Sequence, residues 1–391
     1  MSHADQPDNT SCERCLTRRD LLKLGLGAAV GLGALGGLAR LAGPAGASRQ
    51  RDEDKWSHAA RYYDKLPNKY IRCQLCPRHC YVGPGGRGIC EVRENQGGEY
   101  RTLVYGRAAS INIDPIEKKP FFHVLPGRPV FSFATAGCNL ECSNCQNWQL
   151  SQSRPEAIPA THLPPDKLVE AAKKQSCRLI AGTYSEPTVF SEYLLDVAAE
   201  GNKRGLRTLT VSNGFIERQP MLDLCRELAA VKIDLKSMRE SFYESNCQGK
   251  LKPVLNTIAL VKKQNVWLEI VYLVIPTLND SEAEIKDLAK WVHTNLGPDV
   301  PLHFSRFHPE YRLRNLPPTP YETLQRCYAI AVAEGLHFVY VGNAPGHAGQ
   351  ATCCPKCRRR VIERENFSIT ANYLRNGRCQ FCQNPLPGIW S

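Results

Sequence analysis

Between residues 128 and 347, short runs of β-branched and aromatic residues alternate with longer stretches whose apolar side chains return every three or four positions. The runs at 130–134, 179–183, 208–212, 230–234, 266–274, 302–307 and 338–342 read as strands. The stretches at 165–175, 193–204, 221–228, 282–296 and 321–334 read as amphipathic helices. Strands that alternate with helices predict repeated βα units around a parallel sheet. Seven strands at this spacing point to an α/β fold, a partial or complete (β/α) barrel, rather than an open doubly wound sheet. No G-x-G-x-x-G follows the first strand, which argues against a dinucleotide fold.

The flanks lack this rhythm. Thr17-Arg18-Arg19-Asp20-Leu21-Leu22-Lys23 is a twin-arginine signature, followed by an uncharged stretch over 24–39 with six glycines and then by Ala45-Gly46-Ala47, a small-x-small cleavage site. As a helix that stretch would span about 24 Å, short of a hydrocarbon core of about 30 Å. Residues 1–47 are therefore expected to be an export signal directing the chain to the periplasm or beyond, not a membrane anchor. A polar linker is expected over 48–68, a Cys-rich segment over 69–127, the barrel core over 128–347 and a Cys-rich tail over 348–391. After 69–90, residues 103–105 and 109–111 read as short strands.

Composition sharpens one point. The 391 residues include 18 cysteines, and the net charge is +12. Export favours disulfides, so spacing decides. Cys73, Cys76, Cys80 and Cys90 form C-x2-C-x3-C-x9-C; Cys138, Cys142 and Cys145 form C-x3-C-x2-C; Cys354, Cys357, Cys379 and Cys382 form C-x2-C-x21-C-x2-C. Cysteines two or three apart converge on metal, whereas a disulfide between them closes almost no loop. Cys12 and Cys15 fall within the signal. Cys177, Cys225, Cys247 and Cys327 stand alone and read, with Cys353, as structural residues.

In a β/α barrel, chemistry gathers at the C-terminal strand ends. There this chain places the 138–145 cysteines after the first strand, Glu186-Pro187-Thr188 after the second, Asn213-Gly214 after the third, and Asp234 with Lys236 after the fourth. Glu269, Asn279 and Asp280 go with the fifth, Arg306 and His308 with the sixth, and Gly342-Asn343 with the seventh.

The run Gly137-Cys138-Asn139-Leu140-Glu141-Cys142-Ser143-Asn144-Cys145-Gln146-Asn147-Trp148 resembles the cluster loop of radical S-adenosylmethionine (SAM) enzymes. More narrowly, the chain resembles the AmmeMemoRadiSam-system radical SAM enzymes, relatives of pyruvate formate-lyase activating enzyme. The motifs that carry this are Cys73-Gln74-Leu75-Cys76-Pro77, Gly88-Ile89-Cys90-Glu91-Val92-Arg93, Asp114-Pro115-Ile116-Glu117-Lys118-Lys119-Pro120, Thr183-Tyr184-Ser185-Glu186-Pro187-Thr188 and Arg306-Phe307-His308-Pro309. The resemblance implies that Cys138, Cys142 and Cys145 hold a [4Fe-4S] cluster with one iron left for SAM. It implies Glu186 for the SAM amino group, Asn213 for the ribose, Asp234 and Lys236 near the methionyl carboxylate, and Gly342-Asn343 along the adenine. Where the family usually has an aromatic residue before the third cysteine, this chain has Asn144.

The tail cysteines look like a zinc ribbon or rubredoxin-like knuckle pair for Zn²⁺ or iron. Cys73, Cys76, Cys80 and Cys90 suit Zn²⁺ or an auxiliary [4Fe-4S] cluster, with His79 a loop residue among them. Three function classes follow. The first is an enzyme using a SAM-derived radical on a protein, RNA or small molecule, including glycyl-radical activation of a partner, with a low-potential donor such as ferredoxin or flavodoxin. The second is a nucleic-acid-binding module, to which the charge and Arg358-Arg359-Arg360 are suited. The third is an iron–sulfur electron carrier, which has no need of a polar rim.

Overall fold

A computed structural model describes residues 55–391. The twin-arginine segment, Cys12 and Cys15 lie outside the described residues. All seven predicted core strands form: β2 (Pro129–Ala134), β3 (Leu179–Gly182), β4 (Arg207–Ser212), β5 (Ala230–Asp234), β6 (Trp267–Val274), β7 (Leu302–Arg306) and β8 (Val339–Gly342). They pair in parallel and strictly in chain order. Sequential order with right-handed crossovers puts all connecting helices on one face, the winding of a barrel. The sheet stays open, however. One edge is β8, and the other is β1 (Ser110–Pro115), which lies antiparallel on β2.

Each crossover carries a helix: α1 (Pro165–Lys174), α2 (Ser191–Lys203), α3 (Arg218–Glu227), α4 (Leu251–Lys263), α5 (Glu282–Leu296) and α6 (Tyr321–Ala333). Their apolar faces are buried at helical spacing, as with Ile285, Leu288, Ala289 and Val292 of α5 against the sheet. α5 begins on a Ser281 cap whose hydroxyl accepts the Glu284 N–H.

Two expectations need correction. Residues 58–65, read as part of a polar linker, form strands: His58–Ala59 pairs with 101–102 and Tyr63–Lys65 with Ile71–Cys73. Polar side chains on short edge strands leave no apolar alternation to read. Residues 103–105, read as a strand, instead bend into the turn at 104–107, with Leu103 and Val104 buried in the core. Buried apolar side chains do not require a ladder when a loop packs inward.

The N-terminal ends of the strands are sealed by residues 116–125 and by the C-terminal tail. Leu125 N–H donates to the Ile389 carbonyl, and Ile389 N–H to that of His123, both at 2.7 Å. Beneath them lies a closed ionic network. The Glu269 carboxylate accepts the N–H groups of Phe122 (3.1 Å) and His123 (3.0 Å), meets the His303 ring at 2.6 Å and lies 3.5 Å from Lys232. Glu269 therefore does not belong with the rim residues. It is the third residue of its strand, level with Lys232, and faces the sealed end.

Burial works against its charge, yet Lys232 and His303 hold Glu269 well below the usual carboxylate range. Burial also depresses His123 to about 4 and His303 to about 3, with Lys232 and Arg364 acting in the same direction and Glu269 opposing. The unfolded chain protonates its histidines near pH 6.5, and the folded one resists down to those lower values. Stability is thus complete above about pH 6.5 and is lost as pH falls toward 4, by up to about 1.4 kcal/mol per pH unit for each group. Urea unfolding is expected to show roughly 2–4 kcal/mol less stability at pH 5 than at pH 7; a flat profile would remove this account.

Candidate active site

The loop after β2 begins at Gly137, whose φ of 95° a side chain rarely adopts and where a Cβ would come within 2.5 Å of Val92 and 2.8 Å of the Cys90 carbonyl. Only glycine passes there. The loop is then pinned from several sides. Glu141 N–H donates to the Cys247 carbonyl (3.0 Å) and Ser143 N–H to that of Asn246 (2.9 Å). The Asn246 amide donates to Asn144 Oδ1 (2.8 Å), and Gln152 Nε2 to the Leu140 carbonyl (3.0 Å). Asn144 is thus a buried brace in the position where an aromatic residue was expected.

The three thiols meet different surroundings. Burial pushes Cys138 well above its usual value, with the Glu186 charge adding to it, while the Leu140 N–H points at the Cys138 sulfur at 3.4 Å. Cys142 goes the other way: a hydrogen bond from the Cys247 thiol leads, with the nearby Lys236 charge, in lowering Cys142 against the opposing effect of burial, while the same bond and burial push Cys247 up. Burial raises Cys145, partly offset by Ser151, whose hydroxyl lies 3.1 Å from the sulfur.

Glu186 is buried and anchored. Its Oε1 accepts the Thr188 N–H (2.9 Å), the Thr188 hydroxyl (2.7 Å) and the Ser212 hydroxyl (2.7 Å), whereas Oε2 accepts only the Asn213 N–H (2.8 Å). The Asn213 amide turns to the cluster loop, donating to Asn139 Oδ1 at 2.9 Å and approaching the Cys138 sulfur at 3.8 Å, while its Oδ1 accepts the Phe215 N–H. Lys236 Nζ lies 3.0 Å from Asp234. Burial opposes its charge, but Asp234 and the Cys142 sulfur outweigh this and hold Lys236 above its usual value. Asn343 sits on the far strand, its amide on Ser305 at 3.0 Å, beside a Gly342 with no side chain to intrude. Of the remaining rim residues, Asn279 and Asp280 brace the turn after β6, and Arg306 donates to the Thr319 carbonyl.

The Radical SAM superfamily model matches residues 133–291. The uncharacterized protein MJ0808 of Methanocaldococcus jannaschii is 42% identical over 325 residues, covering 83% of this chain and 97% of its own. The chain belongs to the radical SAM superfamily. Among solved structures, a radical SAM methyltransferase from Sphaerobacter thermophilus is 13% identical with a TM-score of 0.47, covering 79% of this chain and 84% of its own. A domain of pyruvate-formate lyase-activating enzyme from Bacteroides vulgatus is 21% identical with a TM-score of 0.38, covering 42% of this chain and 98% of its own.

Radical SAM membership implies a [4Fe-4S] cluster and SAM, and the loop's donor set fits them. One thiol is lowered by a neighbouring thiol and a lysine charge, and N–H and O–H donors face the other two sulfurs. The tail offers a different geometry. Cys354 and Cys382 sulfurs lie 3.6 Å apart and Cys357 and Cys379 sulfurs 3.7 Å apart, with all four within 4.8 Å of one another. Bonds of about 2.3 Å to one tetrahedral ion put sulfurs about 3.8 Å apart, so these four thiols fit a single Zn²⁺ or iron. The N–H of Arg359 leads the effects that lower Cys357 to about 7, readying it as a thiolate.

Sequence reasoning missed Cys247, whose short π-helical turn Tyr243–Cys247 carries it to Cys142. It also gave no role to Asp114, Lys119 and Tyr184, which the structure joins: Lys119 Nζ lies 2.6 Å from Asp114 and 2.8 Å from the Tyr184 hydroxyl, at the β1 edge of the sheet, where Asp114 is level with Val130 near the start of β2. Each lies in a motif already quoted, which was the available signal. Among the described residues no helix is long and apolar enough to cross a membrane.

Proposed function

We propose that the chain is an activating-enzyme-like radical SAM enzyme of the AmmeMemoRadiSam type, in which Cys138, Cys142 and Cys145 hold the [4Fe-4S] cluster. The observation that carries this reading is the convergence of Cys142, lowered by its neighbours, with Lys236 and the anchored Glu186 on one strand-end rim. When bound, the cluster and SAM supply reductive C–S cleavage and a 5′-deoxyadenosyl radical that takes hydrogen from a substrate C–H bond.

The chain's own residues position that chemistry. Glu186 Oε2, with one hydrogen bond filled, has lone pairs left for the SAM ammonium, and the bonds on Oε1 fix its direction. Lys236 offers its charge to the methionyl carboxylate, oriented by Asp234. Asn213 acts through the loop, its amide on Asn139 and near the Cys138 sulfur, on the side the ribose would take. Gly342 leaves room for a flat adenine along β8, and Asn343 edges it. A low-potential carrier such as ferredoxin or flavodoxin supplies the electron. Glycine in a protein partner is one C–H donor within reach of this chemistry.

Anaerobically reconstituted protein given SAM and dithionite is expected to yield 5′-deoxyadenosine and methionine in equal amounts by chromatography; no 5′-deoxyadenosine would end this reading. Glu186→Gln is expected to raise the KM for SAM by about 10- to 100-fold, the loss of one charge-assisted hydrogen bond. An unchanged KM would remove Glu186 from the ammonium site. The export reading of residues 1–47 is part of the proposal, and finding all the protein in the cytosol with those residues intact would overturn it.

A further inference from the structure

The N-terminal cysteines form a site the rim does not use. Cys73 ends the strand Ile71–Cys73, Cys76 and Cys80 lie on the turn after it, and Cys90 follows the glycine-rich loop. Backbone N–H groups of Leu75, Arg78 and Val92 donate to the sulfurs of Cys73, Cys76 and Cys90. Burial and the neighbouring thiols together raise Cys76, and Cys73 and Cys80 act on Cys90 in the same way. The four sulfurs thus share one electrostatic environment.

They do not converge as the tail thiols do. Among the described residues only the tail group brings three or more ligand atoms within 4.8 Å of one another. No three of the N-terminal sulfurs therefore lie within 4.8 Å of one another, wider than the spacing of about 3.8 Å that one tetrahedral ion with bonds of about 2.3 Å sets. A second observation lies beside them. Tyr100 is 1% exposed, and its hydroxyl has no hydrogen-bond partner. That hydroxyl and the Cys80 sulfur both border Gly88, at 2.9 and 3.5 Å from where a Cβ would stand, and Cys73, Cys90 and Cys80 all act on the phenol. Arg93, also buried and paired with Glu192, leaves its Nε without a partner and lowers both Cys73 and Cys90. A buried phenol hydroxyl and a guanidinium Nε without acceptors, among spread thiols with N–H donors, match a group that brings its own negative acceptor atoms.

The site has two edges. On one, Cys80 is half-buried and is followed by Tyr81, exposed to solvent. On the other, the Cys90 carbonyl and Val92 pack against Gly137, next to Cys138, and Arg78 Nε donates to the Asn139 carbonyl at 3.0 Å.

We propose that Cys73, Cys76, Cys80 and Cys90 hold a second [4Fe-4S] cluster, with Tyr100 as its hydrogen-bond donor, and that it relays electrons to the cluster of the Cys138 loop. The relay takes one electron from a low-potential one-electron carrier at the Tyr81 edge and passes one on through the Gly137 contact, returning to its starting state; this part rests on the radical SAM reading above.

The test uses the full chain, reconstituted anaerobically with iron and sulfide. Expected are about eight iron and eight sulfide in two cubanes, besides the single tail ion. Cys76→Ser/Cys80→Ser is expected to lose about four iron while keeping the tail ion, which reports an intact fold. In that variant the ratio of 5′-deoxyadenosine formed with reduced flavodoxin to that formed with dithionite is expected to fall at least about 50-fold, because the small reductant reaches the first cluster directly. Tyr100→Phe is expected to keep the iron and lower the potential of one cluster only. Four iron and a second zinc in the wild-type chain would overturn the site, and an unchanged ratio would overturn the relay. Eight iron without dithionite-driven cleavage would leave the site standing and sink the radical reading instead.

Discussion

Cys142→Ala is expected to cut 5′-deoxyadenosine formation by at least about a thousandfold, more than about 4 kcal/mol of lost barrier reduction. Cys142 is the one cysteine of the loop that its surroundings lower, through the Cys247 hydrogen bond and the Lys236 charge, whereas Cys138 and Cys145 are raised. Removing it takes away a ligand and also leaves Lys236 without the sulfur that helps to hold its charge in a buried place. Iron content is expected to fall together with activity. Cys225→Ala is the control: Cys225 lies on the buried face of α3 against the core, so the iron should stay and only stability should drop. Cys247→Ala separates ligand from neighbour, keeping the iron but moving the cluster potential downward as a donor to sulfur is lost. If Cys142→Ala retains wild-type turnover, the cluster is held elsewhere.

How far such sites can be read from sequence depends on what a pattern encodes. The seven strands were legible because each is a short run rich in β-branched, aromatic or other apolar residues and largely buried, bounded by turns. Helix α4 was not. Its apolar residues Val254, Ile258 and Val261 have helical spacing, but Pro253 reads as a breaker. In the fold Pro253 lies in the first turn, where its missing N–H has no partner to lose. Rim membership was legible for Glu186, Asn213, Asp234 and Lys236 because they follow strand ends. Orientation was not: nothing in Asn213-Gly214 says that the amide faces Asn139. Glu269 shows the same limit along a strand. Its position near the start of β6 turns it to the sealed end, and with the strand boundary unknown it could pass for a rim residue. Cys247 was invisible because a π-helical turn with no periodicity brings it to Cys142. The metal spacing of the tail was legible outright, since C-x2-C pairs need little more than a turn to converge.

Stripping the tail ion is expected to destabilise the whole described fold, with a melting midpoint roughly 5–10 °C lower for Cys354→Ser/Cys379→Ser or after chelation. The tail has little core of its own. Val361, Ile362, Leu374 and Leu386 pack with Cys354 and Cys379 onto Phe122, Phe338 and Tyr340, which belong to the barrel's sealed end. The same segment supplies the Ile389 pairing, the Pro387 carbonyl that receives the His123 ring at 2.7 Å, and Arg364, whose guanidinium donates to the Phe122 carbonyl at 2.8 Å. Without the ion, four thiols facing one another hold nothing together, and His123, Glu269 and Lys232 lose their cover. Water then reaches charges that the fold keeps dry, so the loss extends beyond the tail. The pH profile should change in step: with His123 exposed, its proton affinity approaches the unfolded value, and part of the stability difference between pH 7 and pH 5 should vanish. A stripped protein that melts at the wild-type temperature would show that the latch stands on packing alone.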